Sequence, residues 1–111
     1  MTDQQRKINQ LARNIQKDPG DTFSKFALAL ELLKAEEVKK AQMLFEAVLE
    51  QDPDYLGVYY HLGKLCQQRG DYQRARSLFE KGRDLAEKKN ELRTKSELSE
   101  ALIQLQFEIE E

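Results

Sequence analysis

The chain has 111 residues, which is the size of one compact domain with a core that needs no covalent staples. Its composition is 40% hydrophobic and 34% charged, with two Pro, five Gly and no Trp, and this suits a nearly all-helical protein with solvated outer faces. A formal net charge of -2, from 18 basic and 20 acidic residues, gives no global argument for nucleic acid or an anionic membrane surface as partner.

Cys66 is the single cysteine, so an internal disulfide is excluded and a reducing compartment is the simplest setting. The opening stretch MTDQQRKINQLARNIQK carries no apolar run of the kind a signal peptide needs. No segment approaches the roughly 20 apolar residues of a membrane span. A soluble, cytoplasmic protein is the expectation.

Periodicity and punctuation predict six helices. The first runs from about Asp3 to Lys17, with Ile8, Leu11, Ala12 and Ile15 on one face. Asp18-Pro19-Gly20 ends it, because the residue before proline avoids helical backbone. The second opens at Asp21 or Thr22 and runs to about Ala35; it is apolar nearly all round, so it must be covered on more than one side. The third runs from about Val38 to Gln51, with Ala41, Leu44, Phe45, Val48 and Leu49 as its stripe. Asp52-Pro53-Asp54 interrupts the chain again.

The fourth helix is expected from about Tyr55 to Gln68, capped by Asp54, and Gly70-Asp71 makes the next turn. The fifth runs from about Tyr72 to Lys88, with Gly82 where helices would approach closely. Asn90 is a plausible stop. The sixth begins at Leu92, or at a capping box Thr94-Lys95-Ser96-Glu97, and ends near Ile109.

Shifting the chain by 34 residues superposes Asp18-Pro19 on Asp52-Pro53, Leu28 on Leu62, Ala41 on Ala75, Leu44 on Leu78, and Phe45-Glu46 on Phe79-Glu80. Ala29 falls on Gly63 and Phe26 on Tyr60. Small residues at Ala29/Gly63 and Ala41/Ala75 let two backbones approach, and Phe45 and Phe79 fill the space between.

With these residues in place the chain resembles the tetratricopeptide repeat family, whose pattern runs W-x2-L-G-x2-Y, G-x-Y, A-x3-F, P. The second copy matches at Tyr59, Leu62-Gly63, Cys66, Gly70-Asp71-Tyr72, Ala75 and Phe79. The first matches at Leu28-Ala29, Leu32, Ala41, Phe45 and Pro53, and departs at Lys25 and Glu36. Glu87 stands where the second copy's proline would be. The layout expected is a degenerate half-repeat over residues 1–20, repeats over 22–55 and 56–89, and a capping helix over 90–111, all in one domain.

The resemblance implies an all-α, right-handed α-α superhelix of helix hairpins. The first helix of each pair would line a concave groove that binds a protein or peptide. Carried onto this chain, the groove residues are Phe23, Phe26, Leu30 and Leu33, then Tyr60, Lys64, Gln67 and Gln68. Members that clamp a terminal carboxylate use Lys and Asn there. Here only Lys64 could serve, so such a clamp is not expected. Core packing of Phe26 and Leu30 under the first helix is favoured over an open apolar groove, since large exposed apolar patches are unusual.

Other residues have plain structural readings. Cys66 falls on a core position and reads as a buried, inert thiol. His61 has no sequence-near catalytic partner and reads as a surface histidine. The basic residues around the fifth helix are interleaved with Glu80, Asp84 and Glu87, which fits a salt-bridged solvent face. Leu98, Leu102, Leu105 and Ile109 should pack inward on the sixth helix, leaving Leu92, Ile103 and Phe107 on the opposite side. Ile103 and Phe107 are therefore candidate contacts for a homodimer.

No phosphate loop, metal cluster or activated nucleophile is legible. The expectation is a non-enzymatic adaptor without cofactor or metal, binding a protein or peptide in its groove, with no nucleic-acid or membrane partner. The alternative is a self-associating structural module that uses the outer face of the last helix.

Overall fold

The computed structural model describes residues 1–110; Glu111, the last residue of the expected capping segment, lies outside them. Every helix or strand among the described residues is an α-helix. They are α1 (Asp3–Lys17), α2 (Thr22–Lys34), α3 (Val38–Gln51), α4 (Gly57–Gln68), α5 (Tyr72–Lys88) and α6 (Leu92–Glu110). The chain groups into two compact units, Met1–Pro53 with α1–α3 and the residues from Asp54 onward with α4–α6. In the first unit α2 packs on both α1 and α3; in the second α5 packs on both α4 and α6.

The helices start where local chemistry supplies acceptors for free N–H groups. Thr2 accepts from the Gln5 N–H at 3.1 Å, Asp21 from Ser24 at 2.9 Å and Asp71 from Arg74 at 3.3 Å. One start differs from the sequence reading, and at α6 the Leu92 start is the one found. The N-cap residue of α4 is Leu56, two residues beyond Asp54, and the chain enters the helix through a tight turn in which Val58 N–H donates to Tyr55 C=O and Tyr59 N–H to Leu56 C=O. Leu56 is already helical, at φ -58° and ψ -43°, so these short bonds take up the first donors and the helix proper begins at Gly57. In α6, Thr94 to Glu97 lie inside a helix already begun at Leu92, so they form no capping box at its start.

Three helices end alike. After α2, α4 and α5 a residue turns into left-handed backbone: Glu36 at φ 62°, Gly70 at φ 82° and Asn90 at φ 58°. Each N–H there, and the next one, folds back onto the last turn, as in Glu36 to Leu33 C=O (3.0 Å) and Glu37 to Leu32 C=O (2.8 Å). This is why glycine suits Gly70 and why glutamate at Glu36 is strained. Before the prolines, Asp18 (φ -139°) and Asp52 (φ -143°) are extended, which stops α1 and α3.

The cores are built on the residues the repeat superposes. Phe45 and Phe79 are fully buried, as are Ala29, Ala41 and Ala75. Each such ring contributes roughly 1.5–3 kcal/mol of burial. Backbone proximity does the rest. A Cβ on Gly63 would collide with the Phe79 ring, and one on Gly82 would lie 2.6 Å from Tyr59 Cβ and 3.0 Å from Leu98 Cδ1. In α6 the inward residues are Leu98, Ala101 and Leu105. Leu102 is half-buried, and Ile109, expected inside, is 40% exposed. It sits in the last turn of α6 and lines a surface hollow together with Tyr72 and Gln73, the first residues of α5.

Candidate protein-binding faces

In the first unit Phe23, Phe26, Leu30 and Leu33 form one stripe along α2, following helical spacing. Phe23 is 67% exposed, and the other three are half-buried. Phe26 reaches α3, its ring centroid 5.7 Å from that of Phe45 at an interplanar angle of 59°. Helix α1 bonds to another side of α2, where Asn14 Nδ2 donates to Ser24 Oγ at 3.4 Å. Phe26 thus has a ring partner on α3 and is half-buried.

In the second unit α4 presents Tyr60 and Lys64 one turn apart. The Lys64 ammonium stands 5.7 Å from the Tyr60 ring centroid, within cation–π range. Behind them α6 supplies Glu97, Glu100, Ala101 and Gln104, and together these six residues line a cleft of about 130 Å³. The Tyr60 ring also packs on Phe79, at 6.4 Å between centroids, so its aromatic face is anchored to the core.

The carboxylates of the cleft differ in their commitments. Glu97 is held by Arg93 at 3.6 Å, whereas among the described residues neither Glu100 nor Lys64 forms an ion pair. Among those residues the cleft therefore offers a carboxylate and an ammonium open to a ligand, and an amide, Gln104, around an aromatic ring. Its chemistry is that of directed polar recognition, with no activated nucleophile. Among the described residues no group of His, Cys, Asp or Glu is disposed to hold a metal ion.

The remaining expected groove residues separate. Gln67 turns to α6, where its Nε2 donates to Glu108 at 2.5 Å; the Tyr72 hydroxyl reaches the same carboxylate at 3.2 Å. The Gln67 Oε1 is buried with no partner among the described residues. Gln68 is exposed at the end of α4. Sequence reasoning missed Glu97, Glu100 and Gln104. Their i, i+3, i+7 spacing on α6 was the available signal, hidden because attention goes first to the two apolar sides of that helix.

His61 also differs from expectation. It is half-buried, with its ring edge-on to Tyr60 at 5.4 Å and 89°. Burial pushes its pKa below the usual 6.5, and the nearby Glu97 opposes that shift only in part. Cys66 is a buried thiol outside any disulfide.

A wider hollow of about 510 Å³ lies on the second unit, lined by α5 residues including Arg76, Glu80, Lys81 and Asp84, and by Ile109. Its charges balance locally, and the side chains of α5 are engaged with neighbours: Arg83 with Asp84 at 3.6 Å, Arg76 with Gln106 at 2.9 Å. Exposed pairs of this kind contribute little stability and keep the surface solvated.

A family profile described as tetratricopeptide repeat matches residues 32–94, more than half of the chain. The chain belongs to the tetratricopeptide repeat family. The solved structure of a tetratricopeptide repeat domain protein from Salinibacter ruber is 37% identical, covers 78% of this chain and 96% of that one, and superposes with a TM-score of 0.74. The type III secretion translocator chaperone SycD of Yersinia enterocolitica shares the fold at 15% identity, with a TM-score of 0.85 over 94% of this chain and 72% of that one. The TPR2B domain of yeast Sti1, solved as a complex with pHsp70, shares it at 16% identity, with a TM-score of 0.82 over 91% of this chain and 81% of that one. A comparison with curated proteins finds no match. Tetratricopeptide repeat domains are in general non-catalytic protein-interaction modules, and no helix among the described residues is long and apolar enough to cross a membrane.

Proposed function

We propose that this chain is a non-enzymatic adaptor that binds a segment of another protein, and that the α4–α6 cleft of its second unit is a principal contact. The observation that carries the reading is the Tyr60–Lys64 pair. Tyr60 is anchored on Phe79 yet lines an open cleft, and Lys64 beside it has no carboxylate partner among the described residues. Rigid aromatic anchors beside unsatisfied charge are the usual makings of a binding hot spot.

The cleft suits a segment that offers an acidic or amide group to Lys64 and a basic group to Glu100. The α2 stripe in the first unit, with Phe23 largely exposed, suits an apolar side chain. Two structural neighbours support a protein ligand, one being a translocator chaperone and the other a domain in complex with pHsp70. The single cysteine, Cys66, held as a thiol, fits work in the cytoplasm.

Quantitative capture with purified variants tests this. Tyr60→Ala and Lys64→Glu should each strongly reduce retention of the bound protein while leaving the helical signal and the mass of the free chain unchanged. Retention unaltered by both changes contradicts the reading. A second reading, self-association through α6, is favoured by one observation: Ile103 and Phe107 are 58% and 65% exposed on that helix.

A further inference from the structure

Helix α6 carries the internal pattern of a first helix. Leu98-Ser99 and Leu102 repeat the order of Leu62-Gly63 and Cys66 in α4, and of Leu28-Ala29 and Leu32 in α2. Leu98 is fully buried, as Leu62 is. In α4 the small residue of this pattern, Gly63, receives the Phe79 ring from the hairpin's second helix. In α6 the equivalent face holds Ser96, Ser99 and Ile103, with Phe107 one turn beyond, and Ile103 and Phe107 remain 58% and 65% exposed.

Helix α1 is the complementary half. Leu11 stands where Phe45 and Phe79 stand in α3 and α5, and Asp18-Pro19 follows it as Asp52-Pro53 follows α3. Asn14 occupies the place of Gly82, the α5 residue packed between Tyr59 of α4 and Leu98 of α6, and it bonds to α2. The apolar stripe Ile8, Leu11 and Ile15 lies round the helix from Asn14, where a second helix meets the first helix of its own hairpin. No residue of α1 is buried, and these three stay half-exposed.

We propose, extending the self-association reading above, that the occupant of the α6 face is α1 of a second copy of this chain. The two half-repeats then complete one hairpin across the contact, with Leu11 set against Ser99. Charge favours the pairing. Helix α1 carries Arg6, Lys7, Arg13 and Lys17 against Asp3, while α6 carries Glu97, Glu100, Glu108 and Glu110 against Arg93 and Lys95. A contact between different faces is head-to-tail and, unless its rotation closes into a ring, leaves one of each face free at the ends, so that association is open-ended.

Analytical ultracentrifugation of the purified chain tests this up to about 1 mM, the range where weak contacts show. The average mass should climb past the dimer with concentration and fall back in high salt. Ile103→Glu blocks the α6 face and Ile8→Glu the α1 face; Phe107→Glu and Lys7→Glu serve if either first choice fails to fold by circular dichroism. Each blocked variant alone should lose at least about tenfold in association constant. Mixed, they should form a one-to-one heterodimer, because one good α1 then meets one good α6. A wild-type chain that stays monomeric overturns the proposal. So does a symmetric α6 contact, which would appear as a homodimer of the Ile8→Glu variant. Failure here leaves the Tyr60–Lys64 cleft reading intact, since that reading is scored by retention of a different protein.

Discussion

The ring of Phe79 lies over the bare Cα of Gly63, so near that a Cβ there would come within 2.7 Å of ring atom Cδ1. Phe79 is fully buried and has nowhere to retreat. Gly63→Ala should therefore destabilise the chain by roughly 1–3 kcal/mol, as overpacking does. Thermal unfolding followed by circular dichroism would show a drop of several degrees. An unchanged midpoint would mean that α4 and α5 are less tightly packed than described.

The left-handed helix ends make a second, signed prediction. Glu36 bears a side chain at φ 62°, where only glycine is at ease. Glu36→Gly should stabilise by about 1 kcal/mol, and Gly70→Ala, at φ 82°, should destabilise by a similar amount. Denaturant midpoints of the two variants should move in opposite directions.

Stability should also depend on pH through two groups. The Asp21 carboxylate accepts bonds from the Ser24 hydroxyl and then its N–H, which hold its pKa below 3.8. The stability it adds is present above the unfolded value and is lost as pH falls through the lower folded value. His61 works over a higher range. Its folded pKa lies below 6.5, so the unfolded chain takes up its proton first as pH falls below that value. Stability should decline from about pH 6.5 downward until the folded histidine protonates too. His61→Gln should remove that part of the slope and keep the Asp21 part, as urea titrations across pH would reveal.

Much of the fold was legible because it is periodic. The recurrence of Leu28, Ala41 and Phe45 at Leu62, Ala75 and Phe79 marked both helix pairs and their contact residues, and the prolines marked two of the stops. What the sequence left open lies where context outweighs periodicity. Asp54 has the composition of a cap, yet a tight turn at Tyr55 and Leu56 moves the start of α4 on to Gly57. His61 looked like a surface residue because desolvation by a neighbouring helix has no local signature. The cleft was half legible: Tyr60 and Lys64 follow from repeat register, whereas Glu97, Glu100 and Gln104 depend on how α6 lies against α4.

The central claim is that the Tyr60–Lys64 cleft binds a protein segment, and selection from a random peptide display library against the immobilised chain tests it most directly. Peptides enriched on the wild-type chain should carry paired acidic and basic residues, and their affinity should fall at least about tenfold on Lys64→Glu and on Tyr60→Ala. Peptides that bind all three proteins equally well would contradict the account.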